Sequence, residues 1–186
     1  SSIVDKIANL YLKNDKAWVI GFSGGKDSTV VLSLIFHALT TLKKEQLKKN
    51  VYVVCSDTLV ETPVVVGLVR KVLDDVQEYA NKKGLPLVTQ MVVPQTNNTF
   101  WVNLLGKGYP TPTKSFRWCT ERMKIKPVSE FIQSTVSDHG EVIVALGSRR
   151  QESATRAQSI AKHAIKGSEL SRHSSLPNAF TYMPIE

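Results

Sequence analysis

The stretch Ala17-Trp18-Val19-Ile20-Gly21-Phe22-Ser23-Gly24-Gly25-Lys26-Asp27-Ser28-Thr29-Val30-Val31-Leu32 decides the architecture. Residues 17–20 form a β-branched and aromatic run of the length of a buried strand, and from Val30 onward the chain is apolar at nearly every helical face position. Between them lies a loop with adjacent glycines at a helix N-terminus. There the backbone N–H groups converge and the helix dipole adds partial positive charge, so a phosphate is the natural occupant. Lys26 supplies a full charge, and the hydroxyls of Ser23, Ser28 and Thr29 are candidate donors. The plain alternative is a tight turn into a helix with no ligand.

The loop is not a Walker A motif, which needs Gly, four residues, then Gly-Lys-Ser/Thr. Ile20 stands where the first glycine belongs, and Asp27 where the magnesium-binding hydroxyl belongs. The string Ser-Gly-Gly-Lys-Asp-Ser instead resembles the PP-loop of ATP pyrophosphatases, enzymes that split ATP between its α- and β-phosphates.

Outward from the loop, 186 residues with 42% hydrophobic content suit one domain, residues 1–186, with a core that needs no staples. Cys55 and Cys119 are the only cysteines and form no C-x-x-C pair. A disulfide framework and a complete metal or cluster site are therefore not expected, and the reading is a reducing, cytoplasmic setting. No apolar run approaches the roughly 20 residues of a membrane span, and the N-terminus lacks a signal peptide's build, so no membrane partner is expected. The charge of +8 and pI near 9.5 favour polyanionic partners without choosing between nucleotide and nucleic acid. The chain opens Ser1-Ser2 and stops at Glu186 just after a strand reading, as expected of a piece truncated at its C-terminus.

In chain order, residues 2–13 read as a short helix with Ser2 and Asp5 as a capping pair. A helix is expected from Asp27 to about Leu42, followed by a solvated lysine-rich turn, Lys43–Lys49. Val51–Cys55 is a second buried parallel strand, ending at Ser56-Asp57-Thr58-Leu59-Val60-Glu61-Thr62-Pro63. In open α/β sheets the carboxyl ends of strands border the ligand crevice, which places Asp57 and Glu61 where a nucleotide or its metal is met. Alternatively, Asp57 and Thr62 cap the next helix. Cys55 reads as a small core residue. Val64–Lys83 is a long helix closed by Gly84, Leu87–Val93 a third strand, and Thr96–Leu105 a short helix before an irregular loop.

Lys114–Pro127 interleaves cations with aromatics, a mixture that suits anion binding with base stacking, or else makes a plain basic helix face. Thr120 is expected to cap a helix over roughly 121–136, with Pro127 tolerated near its start or splitting it. Glu141–Leu146 is a fourth strand and runs into Gly147-Ser148-Arg149-Arg150-Gln151-Glu152-Ser153-Ala154-Thr155-Arg156, a second strand-to-glycine-to-helix junction whose arginines suit phosphate oxygens. Residues 162–178, with His163 and His173, read as a solvated loop. Ala179–Ile185 is a fifth strand.

Four motifs agree in order and spacing with the phosphoadenosine phosphosulfate reductase-like PP-loop proteins: Ser23–Ser28 (SGGKDS), Ser56–Pro63 (SDTLVETP), Phe116–Pro127 (FRWCTERMKIKP) and Gly147–Arg156 (GSRRQESATR). More narrowly, residues 99–127 resemble the sulfurtransferase component of DNA phosphorothioation systems of the Dnd and Ssp types. The resemblance implies a three-layer α/β fold of the adenine nucleotide alpha hydrolase-like kind, with a mostly parallel five-stranded sheet. It implies an ATP pyrophosphatase activity that adenylates a DNA backbone phosphate for replacement of oxygen by sulfur, with ATP, Mg2+, DNA, a cysteine desulfurase and other phosphorothioation subunits as cofactors and partners.

On that resemblance ATP is bound by Ser23, Gly24, Gly25, Lys26, Asp27, Ser28 and Thr29, with Ser56, Asp57, Gly147, Arg149, Arg150 and Arg156 completing the site. Lys26, Asp27, Cys119 and Arg149 are the expected catalytic residues, and Asp27 and Asp57 the expected magnesium contacts. Flanking Arg117 and Arg122 favour a Cys119 thiolate. Family members carry further cysteines downstream that hold an iron–sulfur cluster, so Cys119 is a ligand only together with cysteines absent here. Two other functions fit the same motifs: a sulfonucleotide reductase or sulfate adenylyltransferase acting on small sulfated nucleotides, and a nucleotide-sensing DNA-binding module without turnover.

Overall fold

The computed structural model describes residues 2–186. Its centre is a six-stranded sheet in the order β3-β2-β1-β4-β6-β5, built from β1 (Ala17–Gly21), β2 (Val51–Ser56), β3 (Leu87–Val92), β4 (Val142–Ala145), β5 (Leu170–Arg172) and β6 (Ala179–Tyr182). β1, β2, β3, β4 and β6 pair with one another in parallel, as the continuous apolar runs of β1, β2 and β4 suggest, and β5 pairs antiparallel with β6. The sheet thus has one strand more than the five expected. The extra strand is three residues of mixed polarity inside the segment read as a solvated loop, too short to leave a period.

Alternate residues of β1 face opposite sides. Trp18 and Ile20 join a core with Ile7 and Tyr11 of α1 (Ile3–Lys13), Val31 and Ile35 of α2 (Lys26–Thr41), and Leu73 of α3 (Pro63–Lys83). Ala17 and Val19 join Val142, Val144 and Ile132 of α5 (Lys126–His139) on the other face. Each fully buried Val, Leu or Ile contributes roughly 1.5–3 kcal/mol by leaving water, so both faces of the central strands are fixed and register slips are disfavoured. The Ser2–Asp5 capping box starts α1, and Gly84 at φ 66° closes α3 in the left-handed conformation. Thr62 precedes α3 but makes no side-chain capping bond. The lysine turn is solvated except at its end: Lys49 is buried, its ammonium 4.2 Å from the centre of the Tyr11 ring.

The segment around Pro127 departs from the expected capped helix. Trp118–Thr120 (α4), a π-helical turn Glu121–Ile125 and α5 run on continuously, and Thr120 lies inside the helical region. The Lys126 amide donates to the Glu121 carbonyl, one residue further back than in an α-helix. This wide turn spends its bonds just before Pro127, which has no N–H to offer, so proline is absorbed without a break. A second π-helical turn, Val102–Gly106, occupies the short helix expected before the irregular loop.

The chain passes from β1 outward to β2 and β3, then returns to place β4 on the other side of β1. The loops after β1 and β4 therefore diverge over the carboxyl ends of adjacent strands, the switch point where such sheets open a crevice. They touch at Gly147: a Cβ there would lie 2.7 Å from the Asp27 carbonyl carbon and 2.8 Å from the Ser28 nitrogen. Gly147→Ala is expected to destabilise the fold by about 1–3 kcal/mol, because backbone must move. Gly67→Ala, in the second turn of α3 with open space around it, is expected to stabilise by about 0.5–1 kcal/mol. Urea denaturation of the two variants measures both signs.

Candidate nucleotide site

The loop Phe22–Lys26 takes its shape from Gly24 and from three hydroxyls. Gly24 sits at φ 74°, and a Cβ on it would meet the Val69 side chain at 3.0 Å, so backbone conformation and close approach both disfavour a side chain. Buried Ser28 donates its hydroxyl proton to the Gly25 carbonyl at 2.9 Å and accepts from the Ser23 amide at 3.2 Å. With that proton committed, the 3.1 Å contact between the Ser23 and Ser28 hydroxyls has Ser23 as donor. Thr29 donates to the same Gly25 carbonyl at 2.9 Å. The three hydroxyls expected as ligand donors are thus engaged in holding the loop. What the loop presents outward is backbone: Gly25 caps α2 without a side-chain bond, so the first-turn amides lack intrahelical acceptors. Lys26 is exposed and makes no ion pair among the described residues.

The second junction is organised by Glu152. One of its carboxylate oxygens accepts from the Arg149 amide at 2.9 Å, and the other contacts the Arg156 guanidinium. Arg149 reaches across to Asp27, Nη2 to Oδ2 at 3.1 Å, tying the two glycine loops together through side chains as Gly147 does through backbone.

Between the loops lies a cleft of about 570 Å³, within the range of small-molecule and cofactor sites. One side is the glycine loop with Lys26 and Asp27. The other is apolar, formed by Val54, Val128, Ile132, Val144 and Leu146, and Lys124, Ser129, Arg156 and His173 also line the cleft. Ser56 and Gly147 also line it. Lys124, Val128 and Ile132 recur at a spacing of four, the helical period that marks one face, and that pattern was available in the sequence. His173 was not: in place of a solvated side chain, the structure shows its Nδ1 accepting from the Ser175 and Leu176 amides at 3.3 and 3.2 Å. Burial, then the nearby charge of His163, pushes its pKa down, favouring neutral imidazole with the proton on Nε2.

Other expected site residues lie outside this cleft. Asp57 is buried at the end of β2, where Oδ1 accepts from the Leu59 amide at 2.9 Å and Oδ2 lies 3.5 Å from Arg70. It pins the turn in which Leu59 takes φ 61°, and does not cap α3. Asp57 and Glu61 line a smaller cavity of about 240 Å³ that shares Ser23, Ser56 and Lys124 with the main cleft. Lys124 bridges the two through a 3.3 Å ion pair with Glu61. Arg150 contacts Glu186 and lines, with Arg149, a separate polar cavity.

Cys119, half-buried in α4, does not line the cleft. Arg122 does not attend it either: its guanidinium donates to Asn98 Oδ1 at 2.9 Å and to the Tyr109 hydroxyl at 2.6 Å. Neighbouring Trp118 is buried, stacked on Phe100. The aromatic–basic interleaving of residues 114–127 thus serves partly as internal packing.

No group of three or more potential metal-ligating side chains occurs among the described residues. Asp27 and Asp57 each have an arginine partner. The donor set fits magnesium carried mainly on phosphates, with a carboxylate at most assisting. It does not fit an iron–sulfur cluster, since both cysteines stand alone. No helix among the described residues is long and apolar enough to cross a membrane.

Comparison with known proteins identifies the family and the fold. A model of the phosphoadenosine phosphosulfate reductase domain matches residues 17–164. Two uncharacterized proteins of Methanocaldococcus jannaschii are 32% and 30% identical over 81% and 83% of the chain, which spans only 26% and 31% of their lengths. Among solved structures, a phosphoadenylyl-sulfate reductase from Candida auris, in a phosphate complex, is similar at a TM-score of 0.53 and 15% identity, over 97% of this chain and 71% of that one. The U34-tRNA thiolase of Methanococcus maripaludis, with its [4Fe-4S] cluster, is similar at 0.51 and 14%, over 98% and 58%. At these identities the two structures share the fold.

The two cysteines are expected to differ sharply in reactivity. Burial, with the charge of Asp57, pushes the Cys55 thiol up to about 11. Only about one molecule in a thousand then carries the Cys55 thiolate at pH 8, rising roughly tenfold per pH unit up to pH 10. Mass-spectrometric mapping after brief iodoacetamide treatment at pH 8 should show Cys119 modified first, and Cys55 labelling should follow that rise. Labelling of Cys55 first would contradict the burial argument.

Proposed function

Because the chain belongs to the phosphoadenosine phosphosulfate reductase domain family, we propose that its cleft binds ATP and splits it to AMP and pyrophosphate, as the core of a sulfurtransferase acting on the DNA backbone. The observation that carries this reading is that a loop shaped for phosphate faces an apolar wall across one cleft. A nucleoside triphosphate combines these two chemistries: its base suits the wall of Val54, Ile132, Val144 and Leu146, and its phosphates suit the amides of Gly24–Lys26. The net charge of +8 and the narrower resemblance to DNA phosphorothioation enzymes support DNA as the acceptor. The related fold of a tRNA thiolase supports sulfur chemistry on a nucleic acid.

In this mechanism a non-bridging oxygen of a DNA phosphodiester attacks the α-phosphorus, and pyrophosphate leaves. Lys26 and the first-turn amides face the charge that develops on the leaving group, where preorganised donors act most strongly. Lys124 and Arg156 also line the cleft and add positive charge. Arg149 orients Asp27 and with it the start of α2. Magnesium, when bound on the phosphates, would neutralise part of their charge. The adenylated DNA phosphate is then open to the terminal sulfur of a persulfide on Cys119, which displaces AMP, and a second thiol attacks the Cys119 sulfur, so that one sulfur stays on phosphorus and Cys119 is left in a disulfide. Cys119, outside the cleft, is assigned to this second step, and a cysteine desulfurase and the other phosphorothioation subunits would serve the full-length protein.

Lys26→Ala is expected to abolish AMP and pyrophosphate formation from labelled ATP while leaving the Tm nearly unchanged, since Lys26 is exposed and unpaired. Wild-type turnover in that variant would refute the assignment of the loop. In the full-length protein, Cys119→Ser should keep ATP cleavage yet lose sulfur incorporation into DNA. Cleavage of ATP stimulated by small sulfated nucleotides and indifferent to DNA would favour the reductase or adenylyltransferase reading.

A further inference from the structure

Away from the cleft, aromatic side chains form a ladder that ends at the surface. Buried Trp118 stacks on Phe100 at 5.4 Å and 19° and meets the edge of Tyr109 at 5.4 Å. Phe100 in turn meets Trp101 at 5.2 Å, nearly perpendicular. The ladder is locked from several sides: Trp118 Nε1 donates to the Pro110 carbonyl at 2.9 Å, and Arg122 lies over Tyr109 at 5.0 Å while holding Asn98. Its outer rung, Trp101, is 59% exposed. Leu105, four residues on, and Phe116, two residues before Trp118, are also exposed. A large indole held on a rigid pedestal and left in water costs solubility without serving the core.

The charge around it selects the occupant. Between the end of β3 and Glu121 the chain carries Lys107, Lys114 and Arg117 and no acidic residue. Lys114 and Arg117, on either side of Phe116, are exposed and have no ion-pair partner among the described residues, and Lys107 reaches only the neutral oxygens of Asn97 and Asn98. A surface that docks an apolar protein face gains nothing from excluding acids, whereas one that lies along phosphates does. Exposed aromatic faces combined with unpaired cations fit a strand whose bases are free to stack and whose backbone is anionic.

We propose that Trp101, Phe116, Lys114 and Arg117 form a contact surface for an unpaired nucleic-acid strand, with Trp101 stacking on a base. The proposal rests on the reading that the cleft serves a nucleic-acid substrate, and it names where that substrate lies outside the cleft. Trp101 is the indole that reports on it, because Trp18 and Trp118 are buried.

The test is titration of the protein with a dodecamer of single-stranded DNA, in parallel with the RNA of the same sequence, the corresponding duplex and heparin, following tryptophan emission and affinity. Single strands are expected to quench the exposed component of the emission. Trp101→Ala should weaken single-strand binding at least about fivefold, and Trp101→Phe should restore most of it. Lys114→Gln with Arg117→Gln should flatten the dependence of log K on log salt by about 1.4, at roughly 0.7 per lost single-strand phosphate contact. Tighter binding of the DNA than of the RNA strand, or the reverse, identifies the sugar. Wild-type affinity in Trp101→Ala, or heparin binding as well as the single strand, would overturn the proposal. So would a change in self-association in Trp101→Ala without any change in nucleic-acid binding, which would make the surface a protein interface. ATP cleavage measured in the same samples separates the two readings: intact cleavage that depends on Lys26, with no effect of Trp101, sinks this inference alone, whereas absence of cleavage sinks the reading of the cleft.

Discussion

The approach of Gly147 to the Asp27–Ser28 peptide is the constraint on which the rest of the site depends. It joins the end of β4 to the start of α2 at a separation that admits no Cβ. Parallel pairing of β1 with β4 brings the two junctions side by side, and the missing side chain lets them touch. Arg149, two residues beyond Gly147, then reaches Asp27, and Glu152 fixes the turn from which Arg149 projects. A larger residue at position 147 would push the loops apart and remove the floor of the cleft.

Within that frame the loop after β1 uses its own side chains to fix its backbone. Ser23, Ser28 and Thr29 converge by hydrogen bonds on one another and on the Gly25 carbonyl, and this orients the amides that precede and open α2. Preorganised amides bind a phosphate without paying to reorganise, which is where such sites gain over solvent. The surrounding cations are balanced in the present state: Lys124 by Glu61, Arg149 by Asp27, Arg156 by Glu152. Incoming phosphates would compete with these carboxylates, and because the pairs are partly exposed, each exchange costs little. Lys26 alone in the loop is uncommitted, which is why it carries the sharpest functional expectation.

Much of the fold was legible because its signals are local and redundant. β1, β2 and β4 are continuous apolar runs, α3 carries both a proline start and a glycine stop, and the two glycine junctions follow their strands directly. What escaped is what local pattern does not encode. β5 is three residues whose strand character comes from pairing with β6. The π-helical turn before Pro127 depends on bonds one residue longer than the helical period. The site shows the same division. Residue types in the two junctions pointed to phosphate, yet the direction of each hydroxyl, the pairing of Asp57 with Arg70 and of Arg122 with Tyr109, and the place of His173 beside the cleft all follow from tertiary contacts. Lys124, Val128 and Ile132 stand between, since their spacing was visible and their common face toward the cleft was not.

The central claim is that one cleft holds the base on the apolar wall and the phosphates on the glycine loop, and binding followed by NMR on backbone amides and side-chain methyls addresses it directly. Pyrophosphate should shift the amides of Gly24, Gly25, Lys26 and Asp27, AMP should shift the methyls of Val54, Ile132, Val144 and Leu146, and an α,β-methylene analogue of ATP should shift both sets together. If pyrophosphate instead perturbs the lysine-rich turn at 43–49 or the arginine cavity around Arg150, with the Gly24–Asp27 amides unmoved, the loop is a structural turn and the account is wrong.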